Sequence, residues 1–234
     1  MSNPRAWQQP SSNFWTQLKW RVRTIEYPIT LWLMIGLTAL WVLTLIVPVL
    51  WQWLVFLPAA MMPSIVFEPW RFVTGLLVHS PVSILHILFN MYGLWLFGSQ
   101  LEPLLGRRRF IWLLSLSGAA GMTAMLWFGD LLAVTFGASA PVFGLFTAMF
   151  VLVRAMGQRA IFMLVMIVAN VALAFMGYGF TWPLTLGSMA VGALVGWIYT
   201  RNRYGSAGSA AQQKELLLVA GVLLALVVLK VIIS

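Results

Sequence analysis

Seven apolar stretches, set apart by charge, proline and glycine, leave this chain few folds to choose from. They run over residues 29–50, 82–105, 110–128, 139–153, 160–176, 184–200 and 216–233. About 20 apolar residues of helix span a bilayer core. Inside it a backbone must satisfy its own polar groups, which helices do. With 62% hydrophobic and only 8% charged residues, an ordinary soluble domain is excluded. The expected fold is therefore an all-α polytopic membrane protein. It divides into a cytoplasmic segment over residues 1–28, a six-helix membrane core over 29–200, a flexible cytoplasmic linker over 201–214 and a seventh transmembrane helix over 215–234.

The cations order these spans. Twelve of the fourteen Lys and Arg fall before the first span or between the second and third, fourth and fifth, and sixth and seventh. Cytoplasmic loops carry such an excess, which predicts a multi-pass cell-membrane protein with its N-terminus cytoplasmic and its C-terminus outside. The same scatter over short loops explains the net charge of +9 without nucleic acid. The chain has no cysteine, so disulfides and thiolate metal sites are excluded; no metal and no cofactor is expected. No cleavable signal peptide is legible before residue 28.

Two loops stand out. Residues 51–82 are long, aromatic and weakly charged, which suits a segment half-sunk in the outer interface. After the second loop, 130–138, comes a short helix. Its fifteen or so residues cover only ~22 Å of a ~30 Å core. Ser139, at its start, then lies ~8 Å below the surface. Irregular backbone at that depth survives only against protein or a water-filled cavity. A wet pocket with Ser139 in its floor is expected.

His86 and Asn90, spaced i, i+4, share a face of the second span at similar depth. They read either as a packing pair or as groups facing that cavity. Ser139 reads either as a helix N-cap or as a nucleophile. Small-residue ladders favour the second of each. Ala140, Gly144 and Ala148 line one face of the fourth span, and Ser188, Gly192 and Gly196 one face of the sixth; such ladders let membrane helices pack closely. Thr185 lies one turn before Ser188, so it is expected to face Ser139. A serine nucleophile needs a base there, and threonine offers none.

These residues resemble the rhomboid family of intramembrane serine proteases, of the six-plus-one transmembrane type. The likeness runs from about Glu68 to Tyr199. Trp70-Arg71 is similar to the family's loop signature and His86-x-x-x-Asn90 to its His-x-x-x-Asn motif. Gly98-x-x-x-Glu102-x-x-x-Gly106 resembles the end of its second helix, and Gly137-x-Ser139 opens its Gly-x-Ser-Gly motif. Two positions depart: Thr185 stands at the catalytic His, and Ala140 at the second glycine, where its methyl is expected to crowd an approaching substrate backbone.

The resemblance implies that Ser139 would attack a carbonyl in a client's transmembrane helix. The Ser139 N–H, His86 and Asn90 would hold the oxyanion, and Trp70 and Arg71 would anchor the first loop in the interface. His79 matches no catalytic position and is expected to line the entrance. A threonine hydroxyl takes no proton near neutral pH. The preferred reading is thus a pseudoprotease that binds client helices within the bilayer and does not cut them. The alternatives are an active protease with an unrecognised base and, more weakly, a transporter. A transporter would carry polarity through the full membrane depth.

Overall fold

In the computed structural model, residues 26–176, 182–201 and 205–234 are described. Seven long helices are α1 (Pro28–Ile46), α2 (Ile84–Leu105), α3 (Arg107–Phe128), α4 (Ser139–Ala155), α5 (Ile161–Met176), α6 (Trp182–Arg201) and α7 (Gly205–Ile233). Four helical segments, Pro28–Ile46, Arg107–Phe128, Trp182–Arg201 and Ala210–Ile233, are long and apolar enough to cross a membrane by length and composition. Apolar side chains such as Trp32, Phe89, Phe162 and Leu218 stand exposed on the outer faces, where lipid replaces water. The protein is an all-α polytopic membrane protein. Among the described residues its only strands are a two-residue antiparallel pair, Met61–Met62 with Val66–Phe67.

Helix boundaries follow local chemistry. α1 stops at Ile46, short of the expected Leu50, because Pro48 has no N–H and pushes Val47 out of helical conformation, to φ −123° and ψ 82°. A separate short helix, Pro48–Leu54, follows. Part of the linker expected over 201–214 is helix instead. α7 begins at Gly205 and its Ala210-Ala211-Gln212-Gln213-Lys214 stretch consists of good helix formers; 202–204 lie outside the described residues, as do 1–25 and 177–181.

Successive helices alternate in direction, so the bundle has two ends. At one end the Glu102 carboxylate accepts hydrogen bonds from Ile29 N–H (2.9 Å), Thr30 N–H (2.8 Å) and the Thr30 hydroxyl (2.9 Å). This buried anion satisfies the free donors that open α1. The same end holds Arg107, Arg108 and Arg109 and the Arg201–Glu215 ion pair (2.6 Å). The other end holds Ser139, both long loops and the C-terminal Ser234, whose carbonyl accepts from the Ser64 hydroxyl (3.0 Å).

At the centre α6 packs against α4 and α3 at backbone distance. A methyl added at Gly192 would lie 2.5 Å from Gly144 Cα, and one at Gly196 would lie 3.0 Å from Ala148 Cα. The spacing-based ladders thus interlock. The Thr147 hydroxyl clips the contact by donating to Met189 O (2.9 Å). α3 supplies a third rail that the sequence reading missed: Gly121 abuts Ser188 and Ala140, and Ser117 fills the space beside Gly144. Its run Ser117-Gly118-Ala119-Ala120-Gly121 was the available signal.

Candidate functional site

The first loop holds the serine's loop in position. Arg71 donates to Gln52 O (2.5 Å) and Val55 O (3.0 Å) and pairs with Glu68, while the Trp70 indole donates to Trp53 O (3.2 Å). Arg71 is thereby spent on tying the loop to itself. That fold presents Phe56 to Thr135, with N–H···O bonds of 2.9 and 2.8 Å in both directions, and Gly75 O to Gly137 N–H (2.9 Å). Two residues on, α4 begins.

Gly137 has φ +106°, a conformation that side chains strain to adopt, and an added methyl would lie 2.5 Å from the His86 ring. The backbone before Ser139 therefore lies against that imidazole. Ala138, not Ser139, is the N-cap, and no side chain caps the helix. Ser139 is half-buried, and among the described residues its hydroxyl has no hydrogen-bond partner. The capping reading loses its basis.

Two adjoining cavities meet at this serine. One, about 400 Å³, is lined by His86, Phe136, Ser139, Phe143, Asn170 and Thr185, among others. The other, about 730 Å³, runs between α2, α4 and α5, with His86, Asn90, Ser139 and Asn170 toward one end and apolar side chains such as Phe97, Phe146 and Met149 beyond. Ser139, His86 and Thr185 share one space; Asn90 joins from the other. Asn170 was not picked out as a site residue, although a lone amide in an apolar helix is a visible signal; it donates to Met166 O (2.8 Å) and lines both cavities.

Both ring nitrogens of His86 have polar neighbours. Ser80 N–H donates to His86 Nδ1 (3.4 Å). Asn90 Nδ2 donates to His86 O (2.8 Å) and lies 3.4 Å from Nε2. The His86 ring and the Asn90 amide adjoin Gly137 and Ser139. Their N–H groups can hold a negatively charged oxygen.

Two expectations fail. Ala140 does not crowd the cavities: its methyl is fully buried with Met122, Met125 and Leu184, because that face of α4 meets α3. His79 lines no entrance. It is fully buried, as the Trp51 indole donates to its carbonyl (3.0 Å) and Trp41 to that of Ser80 (2.9 Å), drawing the segment inward.

The rhomboid domain family matches residues 66–202, more than half of the chain. This protein belongs to the rhomboid family. It is 29% identical over 157 residues to "Rhomboid protease GluP" of Bacillus subtilis (strain 168), a match covering 64% of this chain and 29% of that protein. It is 38% identical over 79 residues to "Putative rhomboid protease YdcA" of the same organism, covering 34% of this chain and 39% of that protein. The chain thus spans well under half the length of either relative. The rhomboid match takes in the first loop from residue 66 onward, both cavities and all of α2 to α6.

Proposed function

We propose that this rhomboid-family protein binds transmembrane helices of client proteins in the cell membrane without cleaving them. Its N-terminus is cytoplasmic and its C-terminus outside. The observation that carries the reading is Thr185 on the cavity that Ser139 lines, where a serine nucleophile would need a base. His86, the one imidazole on that cavity, is flanked by Ser80 N–H at Nδ1 and by the Asn90 amide at Nε2, a setting that suits an oxyanion donor. No carboxylate side chain lines either cavity. Glu68 pairs with Arg71, Glu102 and Glu215 lie at the far end, and Asp130 accepts from Leu132 N–H within its own loop.

Loss of the base costs a soluble serine protease on the order of 10⁶ in turnover. What remains is a binding site. The larger cavity is an apolar groove beside α5 that suits a helix or an unwound segment of one, and the His86 and Asn90 donors suit a backbone carbonyl at its end.

Purified protein in detergent should cleave no reporter transmembrane substrate above background and should not react with a fluorophosphonate at Ser139. Turnover that disappears in Ser139→Ala would overturn the reading and favour an active protease. The buried position of Ala140 gives a sharper companion test. Thr185→His alone should recover cleavage, and adding Ala140→Gly should bring little more. If both variants fold and remain inert, the pocket is not a protease site lacking only its base.

A further inference from the structure

We infer that the cleft between the start of α3 and the stretch of α7 around Gln213 and Leu216 binds one anionic phospholipid, its phosphate held by Arg107, Arg108 and Arg109. A cavity of about 340 Å³ opens there, lined by the three arginines with Trp112, Gln213 and Leu216. Arg109 is pre-positioned: its guanidinium lies over the Tyr199 ring at 5.8 Å, and the Tyr199 hydroxyl donates to its carbonyl (2.9 Å). Arg107 and Arg108 are exposed beside it.

The protein supplies these cations with no counter-ion. Its five carboxylate side chains all lie among the described residues, and the ion pairs there are Arg71–Glu68 and Arg201–Glu215. Glu102, one turn before Arg107, has both oxygens turned to α1. Three adjacent arginines at a membrane surface therefore take their anion from outside. Basic pockets between membrane helices suit phospholipid headgroups.

The seam continues in a way that a free anion would not need. On α3, positions 112, 115, 119 and 123 share the face that leaves the arginine cleft; on α7, positions 213, 216, 220, 224 and 227 do the same. Further along it lies a second cavity of about 370 Å³, lined by Ala119, Thr123, Ala220, Leu224 and Val227 with Phe72 of the first loop. From Arg109 to Ala119 the rise is about 15 Å, within reach of one acyl chain whose headgroup rests on the arginines.

The test uses the full chain in detergent, with native mass spectrometry counting retained lipid after addition of phosphatidylglycerol, phosphatidylcholine or inorganic phosphate. One phosphatidylglycerol should be retained per chain, in preference to phosphatidylcholine. Arg107→Gln with Arg108→Gln should weaken retention about thirtyfold, each arginine contributing as basic residues do at anionic surfaces. Arg154→Gln with Arg159→Gln, at the next loop of the same end, should leave it unchanged. Ala119→Leu, which narrows the upper cavity, should also weaken retention. Equal loss in the two arginine pairs would mean diffuse surface attraction and overturn the site. So would thermal stabilisation by inorganic phosphate equal to that by lipid, since a free anion would then suffice. Unchanged retention in Ala119→Leu would overturn the acyl path.

Discussion

At the scale of single residues, His79 is the side chain whose chemistry most conflicts with its surroundings. Its ring is fully buried and neither nitrogen has a hydrogen-bond partner among the described residues, while the His86 ring lies 5.5 Å away. Burial, with a smaller push from His86 and against a weaker upward pull from the nearby Leu77 backbone, lowers its pKa from 6.5 to about 4. The unfolded chain therefore takes up this proton first as pH falls. The stability contributed by a neutral His79 is complete above about pH 6.5 and is lost progressively toward pH 4. The detergent-solubilised protein should melt at lower temperature as pH drops through that window. His79→Leu should flatten the dependence and, by removing a buried polar group without partners, leave the protein as stable at pH 7 or about 1 kcal/mol more so. An unchanged pH slope in that variant would assign the effect to other groups. Sequence could not announce any of this. Histidine in an aromatic loop reads as interfacial, and only the two tryptophan hydrogen bonds to the neighbouring carbonyls turn it inward. Ala140 misled for a similar reason: its place beside Ser139 in the sequence says nothing about the side of α4 to which its methyl points.

At the scale of elements, the molecule rests on helices that touch through glycine and on one carboxylate. Gly192 has no room for a methyl against Gly144, whose backbone cannot yield without parting α4 from α6. Gly221, in α7, has nothing within 4 Å. The same substitution should therefore act with opposite sign. Gly192→Ala should destabilise by about 1–3 kcal/mol as overpacking does, and Gly221→Ala should be neutral or stabilise by up to about 1 kcal/mol through helix propensity. Melting temperatures of the two variants in one detergent check this. For Glu102→Ala, three donors at the start of α1 lose their acceptor in a buried setting, at a cost of about 3 kcal/mol or more. Glu102→Gln keeps one oxygen and should lose about half as much. The ladders on α4 and α6 were legible because small residues at helical spacing mean that some backbone comes close. They do not say which, so the α3 rail escaped notice, and so did the convergence of Asn170 of α5 on the Ser139 cavity.

At the scale of the whole molecule, direction in the membrane follows from where charge collects. Arg107 to Arg109, Arg201 and Lys214 border one end, and Ser139, the long loops and Ser234 the other. The proposed orientation puts the arginine end inside, on the side that retains Lys and Arg. The C-terminus then emerges on the side of the serine cavities, because α7 runs from the arginine end to Ser64. The absence of cysteine makes this directly measurable, since one introduced thiol reports alone. In intact cells a membrane-impermeant maleimide should label Ser234→Cys, while Lys214→Cys should react only after permeabilisation. The inverse pattern would turn the protein over and put the serine cavities in the inner leaflet. Labelling of both from outside would mean that α7 does not cross. In either case clients would have to reach Ser139 by a different route, so the orientation decides which end of a client helix the site can meet. If the proposed orientation holds, the cavities open within the leaflet away from the cytoplasm, and the segment a client presents there is the part of its helix nearest the outer surface.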